Sequence, residues 1–232
     1  MRPVNRGEYL EDESDQPIVF KKYDDARGEL IERIGEYCSY CEMSLDAALA
    51  IEHVQPKHIH THLALSWGNF LLACSNCNST KGKKDITLSD YFWPDVDNTF
   101  RAFTYTRGGV VEVNAALSGQ DQVKAQQTIE LFGLNKTPNT ANASDRRWKN
   151  RREAWEEAKD SKKDLAACNT PQMRKQIVRT AVAKGYWSIW MQVFSGDADM
   201  LNRFIHAKGY NGTCKSCFDT DGNPLPRKNG AL

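Results

Sequence analysis

Nothing in this chain of 232 residues approaches the roughly 18 consecutive apolar residues of a membrane span. Its first twenty residues hold Glu8, Glu11, Asp12, Glu13 and Asp15 where a secretory signal would hold an apolar core. Both absences predict a cytoplasmic protein without a membrane partner. A phosphate-binding loop of the form GxxxxGK[ST] is also missing, so any ATP dependence must come from another protein. Neither internal repeats nor low-complexity tracts occur. The chain also lacks a basic excess: its net charge is +1, which does not mark a nucleic-acid binder. Charge is unevenly spread, however. Residues 1–37 carry ten acidic and six basic side chains, and Arg146, Arg147, Lys149, Arg151 and Arg152 place five cations in seven residues. A local stripe suffices for phosphate contact.

What is present in quantity is cysteine. Seven is an odd number, against a closed disulfide set, and closely spaced cysteines in a reducing compartment favour metal. Cys38-x-x-Cys41 and Cys74-x-x-Cys77 are two knuckles 32 residues apart. Each offers a pre-bent thiolate pair, and together they fill a tetrahedral zinc site. With no position left for water, such a zinc is structural.

Hydrophobic spacing places the elements. Ala26, Leu30, Ile31 and Ile34 predict an amphipathic helix within 24–37, leading into the first knuckle. Residues 50–55 read as a strand ended by Pro56, residues 67–74 as a second apolar segment, and residues 75–84 as a helix. A hairpin is expected around Gly108-Gly109, and a helix over 123–132 closing at Gly133. A long charged helix is expected over 144–167. A further helix should carry Met173, Ile177, Val178, Ala181 and Val182, and a last one Met200, Leu201, Phe204 and Ile205. The tail from Gly209 reads as loop. The predicted class is α+β: a zinc-stapled core in residues 1–95, then a mainly helical region with a β-hairpin in residues 96–232.

Between the knuckles stand the parts of a phosphodiesterase. Hydrolysis needs a base near neutral pKa, which His53 supplies, and a divalent cation to neutralise the phosphate. Glu52 offers a charged oxygen and Asn78 a neutral carbonyl oxygen, the hard donors that magnesium prefers. Glu52-His53, then Asn69, then Asn78 nine residues later, followed by Lys81-Gly82, resembles the HNH (ββα-metal) endonuclease family in its four-cysteine version. The resemblance implies that His53 is the general base, that Asn69 braces the loop between the strands, and that Glu52 and Asn78 hold a catalytic magnesium or manganese ion. Many members carry Asp in place of Glu52 and His in place of Asn78. Because neighbouring side chains on a regular strand face opposite ways, Glu52 and His53 can share one site only if the strand bends or one acts through water.

Further segments narrow the likeness: Met1-Arg2-Pro3-Val4, Gly35 to Glu42, Ile51 to Lys57 and Leu71 to Asn78 resemble the HNH component of bacterial Septu and retron-associated anti-phage systems. That resemblance covers residues 1–95 and implies double-stranded DNA as substrate. It also implies an ABC-type ATPase partner in a hetero-oligomeric complex. The alternative is a catalytically silent zinc-binding interaction module in such a complex. Docking of the ATPase is expected through residues 115–208, with Trp148, Trp155, Trp187, Trp190, Arg147 and Arg151 as interface side chains or, alternatively, as core. Lys81 is the lysine best placed to meet a phosphate. His58, His60 and His62 alternate and suit either a solvated rim or a second metal, with His58 as a reserve ligand. Cys214-x-x-Cys217 is a third knuckle whose partners would have to come from Cys168 and His206.

Overall fold

The computed structural model describes residues 1–8, 18–45, 49–139 and 145–232. A 3-10 turn at Tyr23–Ala26 runs into helix α1 (Arg27–Ile34), which buries Ala26, Leu30 and Ile34 and stops at Gly35, where φ is 78°. The first cysteine pair follows, its turn closed by Cys38 N–H donating to Met43 O at 3.0 Å. Strand β1 (Ala50–His53) then pairs antiparallel with β2 (Phe70–Ala73), with Ile51 opposite Leu72 and His53 opposite Phe70. Helix α2 (Ser75–Lys81) starts at once from Cys74, whose thiol caps it by accepting from Cys77 N–H at 3.3 Å. These three elements make a small ββα unit, with α2 packed against β1.

The rest of the chain encloses that unit. The hairpin forms from β3 (Phe103–Tyr105) and β4 (Val111–Val113), and α3 (Gly119–Phe132) closes at Gly133 in the left-handed region, as its sequence predicts. Helix α4 (Arg147–Ala167) fills the long charged stretch; residue 144, where that helix was expected to begin, lies outside the described residues. Helix α5 (Pro171–Lys184) has Thr170 as its cap, with the hydroxyl accepting from Met173 N–H at 3.1 Å. Helices α6 (Trp187–Val193) and α7 (Ala198–Ile205) follow, and the tail is loop except for one 3-10 turn at Lys215–Cys217. None of the helices among the described residues is long and apolar enough to cross a membrane.

The two expected segments share one hydrophobic core, running from Met1 and Val4 through the cysteines to Trp187, Phe204 and Phe218. Val4 pairs with Thr213 and Met43 with Gly185, while Arg2 donates to Tyr210 O, Asn211 O and Thr213 Oγ1. Residues 96–232 therefore complete the packing of residues 1–95 instead of forming a separate layer. This shared core also corrects the expected docking surface. Trp187, Trp190, Arg147 and Arg151 are fully buried, and Trp155 is partly buried against the core. Core packing takes five of the six side chains offered for a partner; Trp148 is half-buried and outside the core cluster.

Candidate active site and metal centre

The four cysteines 38, 41, 74 and 77 converge, all buried, with their sulfurs within 4.8 Å of one another. The Cys41 and Cys74 sulfurs are 3.7 Å apart. A tetrahedral ion with metal–sulfur bonds of about 2.3 Å requires sulfur–sulfur edges of about 3.8 Å, so the spacing fits zinc. Soft thiolate donors suit the same ion. Among the described residues this is the only group of three or more cysteine, histidine or acidic side chains arranged for a metal. Cys214 and Cys217 are buried without joining Cys168 or His206, which are both exposed. His58 is exposed, and His60 pairs with Asp85 at 3.0 Å. The chain turns at residues 57–59, so the three histidines do not share the face that an extended segment would have given them.

β1 is regular, and its alternation separates Glu52 from His53. His53 lies on the face of Phe70, its cross-strand partner, with the rings edge-on at 5.2 Å. Tyr23, from the turn before α1, packs edge-on against the other side at 5.0 Å. His53 Nε2 lies 3.0 Å from Ala64 O. A carbonyl can only accept, so Nε2 carries the proton and Nδ1 is left as the basic nitrogen. Burial pulls the His53 pKa below its ordinary value of 6.5; the Ala64 hydrogen bond opposes this, and Lys57 adds to it. The ring is therefore neutral at pH 7, ready to accept a proton.

Asn69 ends the 3-10 turn Trp67–Asn69 just before β2 and makes three hydrogen bonds to the loop backbone. Its Oδ1 accepts from Gln55 N–H at 2.7 Å, and its Nδ2 donates to Gln55 O and Leu63 O at 2.9 and 3.2 Å. The same loop delivers Ala64 O to His53, so Asn69 fixes the acceptor that sets the imidazole tautomer. Asn78, in α2, is half-buried, and its amide makes no hydrogen bond among the described residues.

Glu52 and Lys81 are placed differently from expectation. Glu52 points to the α2 side, 2% exposed, and Lys81 meets it there, 1% exposed. Lys81 Nζ is 2.6 Å from Glu52 Oε1 and donates to His53 O at 2.8 Å. Tyr40 donates its hydroxyl to Glu52 Oε2 at 2.5 Å. Burial, then the neighbouring Glu52, holds the Tyr40 hydroxyl protonated. Both carboxylate oxygens thus have donors, one of them an ammonium. Lys81 is accordingly an interior counter-charge and not a surface phosphate contact. As placed, Glu52 does not fit the role of a ligand to a catalytic divalent ion.

Sequence reading passed over Tyr23, Phe70 and Tyr40, since aromatic residues carry no spacing signal for a site. Arg147, expected in a cation stripe and on a partner surface, instead donates from Nη1 to Cys77 Sγ at 2.9 Å. On the His53 side lies Lys57, its Nζ 3.5 Å from the centre of the Tyr23 ring, an exposed cation next to the base. Residues 38–84, which carry His53, the ββα unit and the four cysteines, match the HNH endonuclease family model.

A second likeness is longer than that domain. Over 112 residues the chain is 31% identical to the Septu protein PtuB of Bacillus thuringiensis, a stretch taking in 46% of this chain and 39% of the relative. The chain thus matches well under two thirds of that relative.

Proposed function

We propose that this protein is a metal-dependent endonuclease that hydrolyses phosphodiester bonds in DNA and acts in anti-phage defence. The observation that carries the reading is the state of His53: Nε2–H is held by Ala64 O, Nδ1 has no hydrogen-bond partner among the described residues, and the ring is neutral. In this reading Nδ1 takes the proton from the attacking water, while Asn69 keeps the 55–64 loop in place as a positioning residue. Lys57 draws the scissile phosphate to the His53 side. Lys81 and Glu52 hold α2 on β1 beneath it.

Zinc closes the four-cysteine site as a structural ion. Magnesium or manganese supplies charge at the phosphate, and Asn78 is the available oxygen donor for it. The reading asks no ligand of Glu52.

The ABC-type ATPase remains part of the proposal through the resemblance of residues 1–95 to the nuclease component of Septu systems. The exposed cations of α4, Arg146, Lys149 and Arg152, are what that helix presents to such a partner. The occupied carboxylate of Glu52 favours a second reading, a zinc-bound interaction module without cleavage.

One assay separates the two: supercoiled plasmid incubated with magnesium or manganese, wild type beside His53→Ala. The nuclease reading expects nicking that falls 10²–10⁴-fold in His53→Ala, the usual worth of a positioned base, with fold and zinc content unchanged. Equal cleavage by a folded His53→Ala protein would refute the mechanism, and inert wild type, also in complex with the neighbouring ATPase, would leave the silent module.

A further inference from the structure

Four thiolates around one divalent ion carry a net charge of minus two, and such a charge is tolerated in a protein interior only beside opposite charge. α4 brings Arg147 into contact with the cluster and places Arg151 where the charge of Cys41 acts on it. Arg147, 2% exposed, donates from Nη1 to Cys77 Sγ at 2.9 Å and to Phe132 O at 2.8 Å. Its Nη2 donates to Gly133 O and to Asp145 Oδ2, which fixes the guanidinium plane. Arg151 lies one turn further, 1% exposed, bonded from Nε to Gly109 O at 2.7 Å and from Nη2 to Leu134 O at 2.8 Å. Its Nη1 is buried without a partner, and among the described residues no carboxylate lies within 4.0 Å of it.

The placement is otherwise against local preference. Arg147 is the first residue of α4, and Arg146 is its cap. Cations at a helix N-terminus oppose the macrodipole. A tertiary anion is needed to justify a buried arginine there, and Asp145 answers for Arg147 alone.

We propose that Arg147 and Arg151 are the counter-ions of the zinc–thiolate centre, so that metal occupancy and docking of α4 onto the nuclease core are a single event. This rests on zinc filling the four-cysteine site, which elemental analysis of the wild-type protein checks first. Both arginines are positioning residues: they touch neither substrate nor scissile phosphate, and they act through the ligand sulfurs.

The test is zinc release into excess chelator, followed by the absorbance of the chelator complex, for wild type, Arg147→Lys, Arg147→Met and Arg151→Met. Outer partners of metal ligands are typically worth 10–100-fold in affinity. Arg147→Met and Arg151→Met are expected to release zinc roughly 10–100-fold faster, with Arg147→Lys between them and wild type because it keeps the charge. In cobalt-substituted protein, Arg147→Met should shift the thiolate-to-metal charge-transfer bands, a signature that loss of packing alone would not produce. Wild-type release rates in both methionine variants would overturn the proposal. Should those variants fail to fold, hydrogen exchange of the wild type decides. Chelation is expected to deprotect the amides of α4 together with those of residues 38–81, and α4 protection that survives zinc loss would overturn it. Zinc-free wild-type protein with freely alkylated cysteines would sink the metal site itself, a failure distinct from that of the counter-ions.

Discussion

His53 gives a direct handle on pH. Burial depresses its pKa, so the deprotonated base persists to lower pH than a free imidazole would allow. The acid limb of the cleavage profile should therefore break below 6.5, with rate lost as pH falls through the depressed value and no gain above neutrality from this group. Rates are to be taken only where the near-UV signal shows the protein folded. A break above 6.5 would mean that the residue titrating in the profile is not this one. Lys81 makes an opposite prediction from that of a phosphate contact. Lys81→Met leaves Glu52 buried beside Tyr40 without its cation, and breaking a buried pair in this way costs about 3–5 kcal/mol. Denaturant unfolding should show that loss, and adding Glu52→Gln should recover much of it. Unchanged stability with a large loss of cleavage would return Lys81 to the phosphate. Residue identities in the motif were legible in the sequence, because cysteine, histidine and asparagine at these spacings have few other uses. The direction in which Glu52 points was not: it depends on a regular strand and on a lysine 29 residues away.

At the scale of elements, the helices with one apolar stripe were legible and α6 was not. Trp187, Ser188, Ile189, Trp190, Met191 and Val193 are all buried, so the helix has no polar face and no period to detect. α4 misled for the opposite reason: two of its arginines lie inside, where composition would place solvent. The tip of the β3–β4 hairpin explains part of that burial. Gly109 adopts φ 74° and lies so close to α4 that an added Cβ would collide with Trp148 O, while its own carbonyl accepts from Arg151. Gly109→Ala is expected to destabilise by more than about 1 kcal/mol, since both the backbone conformation and the space exclude a side chain. Thermal unfolding measures it, and an alanine tolerated at no cost would mean that the hairpin does not seat on α4.

For the whole molecule, one shared core implies one transition. Stripping zinc should lower the melting temperature of the entire chain, including the near-UV signal of Trp187 and Trp190 in α6, because α6 packs on α4 and α4 on the cysteines. Two separable transitions, with the tryptophan signal indifferent to chelator, would argue that residues 96–232 fold alone. The division at residue 95 was read from where the resemblance stops, and a boundary in similarity need not be a boundary in packing.

The strip where Val4 meets Thr213, and where Arg2 grips the carbonyls of Tyr210 and Asn211, bears on how the protein is made. The four cysteines of the cluster and His53 are synthesised well before the partners of residues 2–4, which follow those residues by some two hundred positions. Arg147 arrives between the two. A nascent chain can gather its thiols and set His53 against Phe70 long before it can close the strip between residues 2–4 and 210–213. Translation itself thus delays the moment at which the shared core becomes complete.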